Sequence, residues 1–345
     1  MVAYTGIQGQ NILIVSSDPS NPTEGQIWYN STSNLLKGYQ NVVTNTWASG
    51  GNLPVSSPAP AGGMRNGAGA GTQTAALGFG FALGPNTATL SYDGTSWTVP
   101  PATLNTARSY LGGCGTQTAA LAVGGNASGA VSGATESYNG TSWTSKTSLT
   151  TARGYRLGCA GTNTAAIAFG GSTSVFPTLT ASAVTEAFNG TSWTNLPSMN
   201  TARSYLSGCG TQTATLAFGG TTTFTLPTVG NRVTATESYN GTAWTTVNSM
   251  NTARQSLGGV GTQTAALGFG GNSTPPGTTS TGATELWNGT SWTSNPTGLA
   301  TPRGAMGSAG TQAAGLGFGG YGPGNKNQTE EWTGTAVAVR TITTS

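Results

Sequence analysis

The chain has 345 residues, with 55 glycines, 16 prolines, 12 basic and 9 acidic residues, and a formal net charge of +3. So little Glu, Lys and Arg excludes a mainly helical protein, because those residues supply the usual helix surface. Nine Trp, ten Tyr and nine Phe argue against a disordered tract, and the scattered cations offer no run that could track a phosphate backbone, so no nucleic-acid partner is expected.

The opening MVAYTGIQGQNILIVSSDPS lacks the basic segment, long apolar core and small-residue cleavage site of a secretory signal. The longest apolar runs are four to six residues, too short for a spanning helix, so a soluble chain without membrane insertion is expected. ILIVSS at 12–17 and QIWYN at 26–30 read as strands, and LLKGYQ at 35–40 with the stretch ending at Trp47 as two more. Residues 11–54 are therefore expected to form a divergent N-terminal blade or a separate hairpin module.

From residue 58 to 344 the chain repeats itself. GTQTAALGFG at 71–80 recurs with small changes at 115–125, 161–171, 210–220, 261–271 and 310–320. Arg65, Arg108, Arg153, Arg203, Arg254 and Arg303 precede the copies at separations of 43, 45, 50, 51 and 49 residues. That period matches one four-stranded propeller blade. In one copy, RSYLSGCG at 203–210 reads as a glycine-rich strand nearest the axis. TATLAFGG at 213–220 is a second strand with Leu216 and Phe218 on one face, and ATESYNG at 235–241 a third; the fourth begins at Ala243 or Trp244. The expected fold is all-β: six clear units in one ring, seven blades if residues 11–54 join it, with seven the favoured count and six the alternative. Because TEEWTGTAVAVRTITT at 329–344 provides third and fourth strands for the last unit, with Val337 in the tryptophan slot, exchange of a terminal strand is not expected.

Asn139-Gly140, Asn189-Gly190, Asn240-Gly241, Asn288-Gly289 and Asp93-Gly94 mark hairpins, expected as two-residue type I′ turns with positive φ at both central positions. This role also accounts for the N-G-T sequences without glycosylation. Trp97, Trp143, Trp193, Trp244 and Trp292 follow at a fixed offset and read as packing anchors between blades. Cys114, Cys159 and Cys209 lie six positions after a repeat arginine, where other copies have Gly71, Val260 and Ala309, and read as small packing residues rather than disulfide or metal ligands.

Charge is scarce but regular. Arg108, Arg153, Arg203, Arg254 and Arg303 are each followed by a glutamate in the third strand, at Glu136, Glu186, Glu237, Glu285 and Glu330; Arg65 has Leu90 in that slot. Structural charge pairs within or between blades are expected, with arginine contacts to backbone carbonyls, a solvated charged rim or ligand binding as alternatives. Variable loops run between second and third strands at 171–184, 221–235 and 271–283. Phe176, Leu179, Phe224 and Leu226 place apolar side chains in them, and Arg232 a charge, making these five the loop-binding candidates. Local loop packing, protein assembly and carbohydrate recognition all fit such residues.

PSMNTARSYLSGCGTQTATLAFGG at 197–220, with TEAFNGTSW at 185–193 and TESYNGTAW at 236–244, resembles the kelch repeat family: arginine, glycine-rich strand, aliphatic strand ending in Gly-Gly, aromatic strand, tryptophan. The likeness covers 58–334 well and 25–50 weakly, and implies a kelch-like β-propeller. The first strand carries Gly, Ser and Cys where the family is richer in aliphatics, so kelch-type cellular partners are not carried over. PTEGQIWYNSTSNLLKGYQNVVTNTWAS at 22–49 is similar to short modules of tailed-phage virion proteins, especially tail-associated and fibre proteins, and implies a virion component.

With no histidine, the copper centre of some kelch-like oxidases cannot be carried over, and Ser-His-Asp and Cys-His catalysis are excluded. The non-repeat acids Asp18, Glu24, Asp93 and Glu331 nominate no spaced carboxylate pair. No catalytic residue, cofactor or metal is expected. The function expected is a noncatalytic virion structural or interaction protein, tail-associated, whose loops bind other virion proteins or a host-surface glycan or protein. The alternatives are a carbohydrate-active enzyme and an extracellular carbohydrate-binding protein.

Overall fold

In the computed structural model, residues 12–20, 22, 26–54, 64–82, 87–225, 230–274 and 279–341 are described, and every regular element among them is a β-strand. The chain divides into two compact units, one of Met1–Asn45 with Thr333–Ser345 and one of Thr46–Trp332. Gly50 and Leu53, within the second of these units, hydrogen-bond to Thr329 and Asn327 of the repeat array.

In the smaller unit, Leu13–Val15 runs parallel to Ile27–Asn30, which pairs antiparallel with the start of Leu35–Ser49. Asp18 ties this unit together by accepting from Lys37 Nζ at 2.7 Å, Asn30 Nδ2 at 2.8 Å and Trp28 Nε1 at 3.1 Å. These bonds, Lys37's first, hold the Asp18 carboxyl down at about 2.

In the larger unit each of the first five repeats forms a four-stranded antiparallel sheet. The fourth repeat consists of Ser207–Gly210, Thr215–Phe218, Thr236–Tyr239 and Trp244–Val247, in that spatial order. Its second strand is buried on both faces: Ala217 packs toward the third repeat, while Leu216 and Phe218 share the face toward the fifth. Burial on both sides explains why these strands read as continuous apolar runs rather than as half-polar alternation. Six hydrophobic clusters result, one at each boundary between neighbouring repeats, including one that joins Phe81, Leu90, Tyr92 and Trp97 of the first to Ala309, Leu316 and Phe318 of the sixth. The innermost strands stand side by side in chain order, and Gly307–Gly310 of the sixth repeat lies against Ala68–Gly71 of the first.

Each indole adds a directional bond to this packing. Trp143 Nε1 donates to Thr89 Oγ1 of the preceding repeat at 2.9 Å, and Trp193, Trp244 and Trp292 make the same link to Thr135, Thr185 and Thr236. Trp97 carries it to Thr329 of the sixth repeat, and Trp47 completes the series with Thr284 of the fifth.

Trp47 also settles where the ends go. The sixth repeat takes its outer strand from the end of Leu35–Ser49, with Gly50 N donating to Thr329 O at 2.9 Å and Leu53 N to Asn327 O at 2.8 Å. No separate seventh four-stranded sheet from residues 11–54 occurs among the described residues. Terminal strand exchange, which the sequence argued against, is what the structure has. The physical reason is the indole: Trp47 fills the outer-strand tryptophan slot, its ring 4.8 Å from Phe269 and 5.5 Å from Trp332. Thr329–Thr341 accordingly runs on as one 13-residue strand where two were expected.

The Asn-Gly hairpins differ from expectation too. Tyr138 pairs with Trp143 across a four-residue loop, and of Asn139 and Gly140 only the glycine has positive φ. Asn139 instead uses its side chain, Oδ1 accepting from Thr141 N at 3.0 Å and Ser142 N at 2.8 Å. The same capping recurs at Asn189, Asn240, Asn288 and Asp93.

A further repeat device was not anticipated. The glutamine of each GTQ turn reaches back to the preceding sheet: Gln117 Nε2 donates to Ala76 O at 3.2 Å and Tyr92 O at 2.6 Å, and Gln212 to Ala166 O and Phe188 O. In the third repeat Asn163 is one methylene shorter and touches only Ser137 Oγ, at 3.5 Å. Asn163→Gln should therefore raise stability by about 1 kcal/mol in denaturant unfolding, the worth of one added net hydrogen bond. Trp47→Ala should cost about 3 kcal/mol by the same measurement, the low end for a large aromatic because Trp47 is only half-buried; a near-neutral result would mean that Trp47 does not hold the sixth sheet.

Candidate binding face

Five Arg–Glu pairs lie inside single repeats. Arg108 Nη2 is 3.1 Å from Glu136 Oε1, and the corresponding separations are 3.0 Å for Arg153–Glu186, 2.9 Å for Arg203–Glu237 and 2.8 Å for Arg254–Glu285; Arg303 pairs with Glu330. All ten side chains are buried. The arginines also donate to carbonyls, so two of the weighed options occur together. Arg203 Nη1 bonds Gly219 O at 2.9 Å and Ala235 O at 2.7 Å, the two ends of the loop between second and third strands, and Arg108, Arg153 and Arg254 grip their own loops the same way.

The glutamate faces the opposite way along the chain. Glu237 Oε2 accepts from Asn200 N at 2.6 Å and Oε1 from Thr201 N at 3.3 Å, fixing the segment that enters the repeat. One ion pair therefore clamps the incoming chain and the root of the variable loop. Burial pushes each of these guanidiniums below the ordinary arginine range, and the adjacent carboxylate opposes that shift. Arginine stays charged under such shifts, so the clamp is not a pH switch on the cationic side.

The first repeat corrects the arginine series. Arg65 does not occupy the repeat slot: it forms the bridge to Ala82 that Ser109 forms to Asn126 and Ser204 to Thr221. The slot belongs to Met64, whose carbonyl accepts from Gly320 N at 2.7 Å just as that of Arg153 accepts from Gly125 N. Met64 and Leu90 lie in one apolar cluster, so the first repeat replaces the ion pair by a hydrophobic one. Arg65 instead lies over the Tyr321 ring, 5.1 Å from its centroid.

The loop candidates separate into different environments. Leu179 is buried with Tyr155 and Tyr205, and Val175 packs on the same cluster. Thr178–Leu179 pairs with Phe224–Thr225, joining the loops of the third and fourth repeats. Phe176 is 38 % exposed and sits edge-on over Tyr155 at 5.0 Å. Arg232 is buried at the base of its loop, bridged to Thr221, and not presented outward. Leu226 lies outside the described residues.

Tyrosines missed in the sequence reading form the floor of this face. The second position after the arginine slot is Asn66, Tyr110, Tyr155, Tyr205, Ser256 and Ala305 around the six repeats, and all six have φ between +53° and +60°. Backbone bonds run Tyr110 N to Asn66 O, Arg156 N to Tyr110 O, Tyr205 N to Tyr155 O, Ser256 N to Tyr205 O, Ala305 N to Ser256 O and Asn66 N to Ala305 O, so the series returns to its start. Three consecutive positions are aromatic, with ring centroids 5.3–6.2 Å apart, while the other three are polar or small. Their recurrence in R-x-Y was visible in the sequence; their convergence was not, since 95 residues separate Tyr110 from Tyr205.

Arg156 is the extra residue of the third repeat. Its Nη2 donates to Met306 O at 2.9 Å, burial pushes its guanidinium down to about 10, and it lines a cavity of about 90 Å³ between the inner strands. The described acids outside the pairs are engaged in structure: Asp93 caps its turn and Glu331 accepts from Tyr92. Among the described residues no cluster of three His, Cys, Asp or Glu could hold a metal. No protein-family model matches the chain, and no curated protein sequence matches it.

Glu237→Ala, which strands Arg203 without its carboxylate, should destabilise by about 3–5 kcal/mol, whereas the double change Arg203→Met with Glu237→Leu, copying Met64 and Leu90, should recover most of that loss in a denaturation cycle.

Proposed function

We propose that the six sheets close as a six-bladed, kelch-like β-propeller that serves as a noncatalytic virion protein, tail-associated, and binds through the loop face of its second, third and fourth repeats. Three series that return to their start support the ring: inner-strand neighbours, Trp–Thr links and backbone bonds at the positive-φ positions. The likeness of residues 22–49 to tailed-phage modules supports the virion setting. The observation that carries the binding reading is the one-sided aromatic floor. A structural ring alone needs no asymmetry, yet Tyr110, Tyr155, Tyr205 and the exposed Phe176 gather on one half of it. Tyr155 and Tyr205 are buried and form the support, and Phe176 on top of Tyr155 is the exposed member; a rigid aromatic on a fixed frame loses little entropy on binding and suits a protein or glycan surface.

A glycan array run beside a polysaccharide-cleavage panel tests the ligand class. Binding without turnover is expected for a glycan partner, with at least tenfold weaker binding for Phe176→Ala. Gold labelling of intact tailed particles, with antibody to the loop face, should mark tails. Turnover abolished by a single acid substitution would overturn the noncatalytic reading.

A further inference from the structure

The extra residue Arg156 has a second effect on the third repeat. It moves Cys159 one place out of the slot the sequence assigned to it. Register puts Ala160 opposite Ile167 as Cys114 is opposite Leu121, whereas Cys159 faces Ala168 as Gly113 faces Ala122. The first repeat departs by one as well, since Ala70, not Gly71, holds the Cys114 slot. Cys209 remains in that slot, opposite Leu216.

The position Cys159 occupies is glycine in four repeats. A Cβ added at Gly69, Gly113, Gly208 or Gly259 would lie 2.5–2.9 Å from the phenylalanine ring of the preceding repeat. Before Cys159 that residue is Val123 rather than phenylalanine, and the smaller side chain leaves room for a thiol. The thiol is directed at the neighbouring inner strand: Cys159 Sγ lies 3.1 Å from Cys114 Sγ, with both residues unbridged and buried. Cys209 has no such neighbour, its Sγ approaching Thr262 O at 3.4 Å.

We infer that Cys114 and Cys159 are a redox modification site, closing under a peroxide-class oxidant to a disulfide that links the inner strands of the second and third repeats. Cys159 reacts first, because it lines the cavity between the inner strands and Cys114 does not. Its thiolate attacks one peroxide oxygen; the O–O bond breaks, hydroxide leaves and takes up the thiol's proton as water, and Cys159 becomes a sulfenic acid. The Cys114 sulfur then attacks the Cys159 sulfur, the S–O bond breaks, and a second water leaves with the Cys114 proton. Two thiols and one peroxide yield one disulfide and two waters. The hydrogen bond to Cys114 and burial hold the Cys159 thiol well above its ordinary range, so the reaction is slow at neutral pH and accelerates as pH rises.

The site is independent of the proposed binding role. To test it, the reduced full chain is treated with hydrogen peroxide, and its thiols are counted in denaturant and mapped by peptide mass without reductant. Thiols should fall from three to one, the 114 and 159 peptides should appear joined with the loss of two hydrogens, Cys209 should persist, and dithiothreitol should restore all three. Cys209→Ala should lose both remaining thiols together. Cys114→Ala should leave Cys159 carrying added oxygen, with no crosslink. Three surviving thiols, loss of Cys209 at the same rate, or oxygen on Cys159 of the unaltered chain without a crosslink would each overturn the inference.

Discussion

Among the described residues, no sheet of the repeats owns a core. Every second strand is apolar on both faces and buries each face only against a neighbouring sheet, so the hydrophobic interior is six separate boundaries rather than one centre. A fully buried Leu or Phe side chain is worth about 1.5–3 kcal/mol, and an uncovered end sheet would forgo that on one whole face. The contact of Trp97 and Phe81 with Phe318 meets this demand between first and last repeats, and Trp47 meets it for the outer strand.

On this frame, the buried Arg–Glu clamps separate what is constant from what varies. Four of the five hold the two ends of a loop as well as the entering chain by backbone groups, while Arg303 bonds Thr301 O and Gly317 O instead; backbone bonding places no demand on the sequence between the ends. Loops as different as 124–134 and 219–235 therefore sit on the same root. Met64 and Leu90 show that packing alone can replace the clamp where the incoming segment follows the N-terminal crossing. Tyr110, Tyr155 and Tyr205 then pack together against Val175 and Leu179 of the third repeat's loop.

Much of this was legible in the residues. The repeat spacing, the second strand with Leu216 and Phe218 on one face and the tryptophan series follow from periodicity, and the regular placement of ten charges in a chain with so few identified residues that the structure pairs; that the second strand is buried on its other face too was decided by the packing. Errors came from single-residue offsets. Arg65 looked like a repeat arginine although Met64 holds the slot, and Cys159 looked equivalent to Cys114 although Arg156 displaces it. One residue reverses the face of a strand side chain, so an alignment off by one exchanges a packing position for a contact with the next repeat. The type I′ turn was inferred from a dipeptide, but Asn139 closes a four-residue loop through its side chain instead.

By itself, the sequence determined an all-β chain of six like units, the strand order within the first five of them, and a chain without histidine. Those properties are written locally, in strand periodicity, turn residues and composition. Only the tertiary structure decided that Trp47 supplies the outer strand of the sixth sheet, that three tyrosines meet on one face, and that Cys159 points at Cys114. Each depends on neighbours distant in the chain, and which distant pair meets is set by the competition for buried surface among sheets that cannot satisfy it alone.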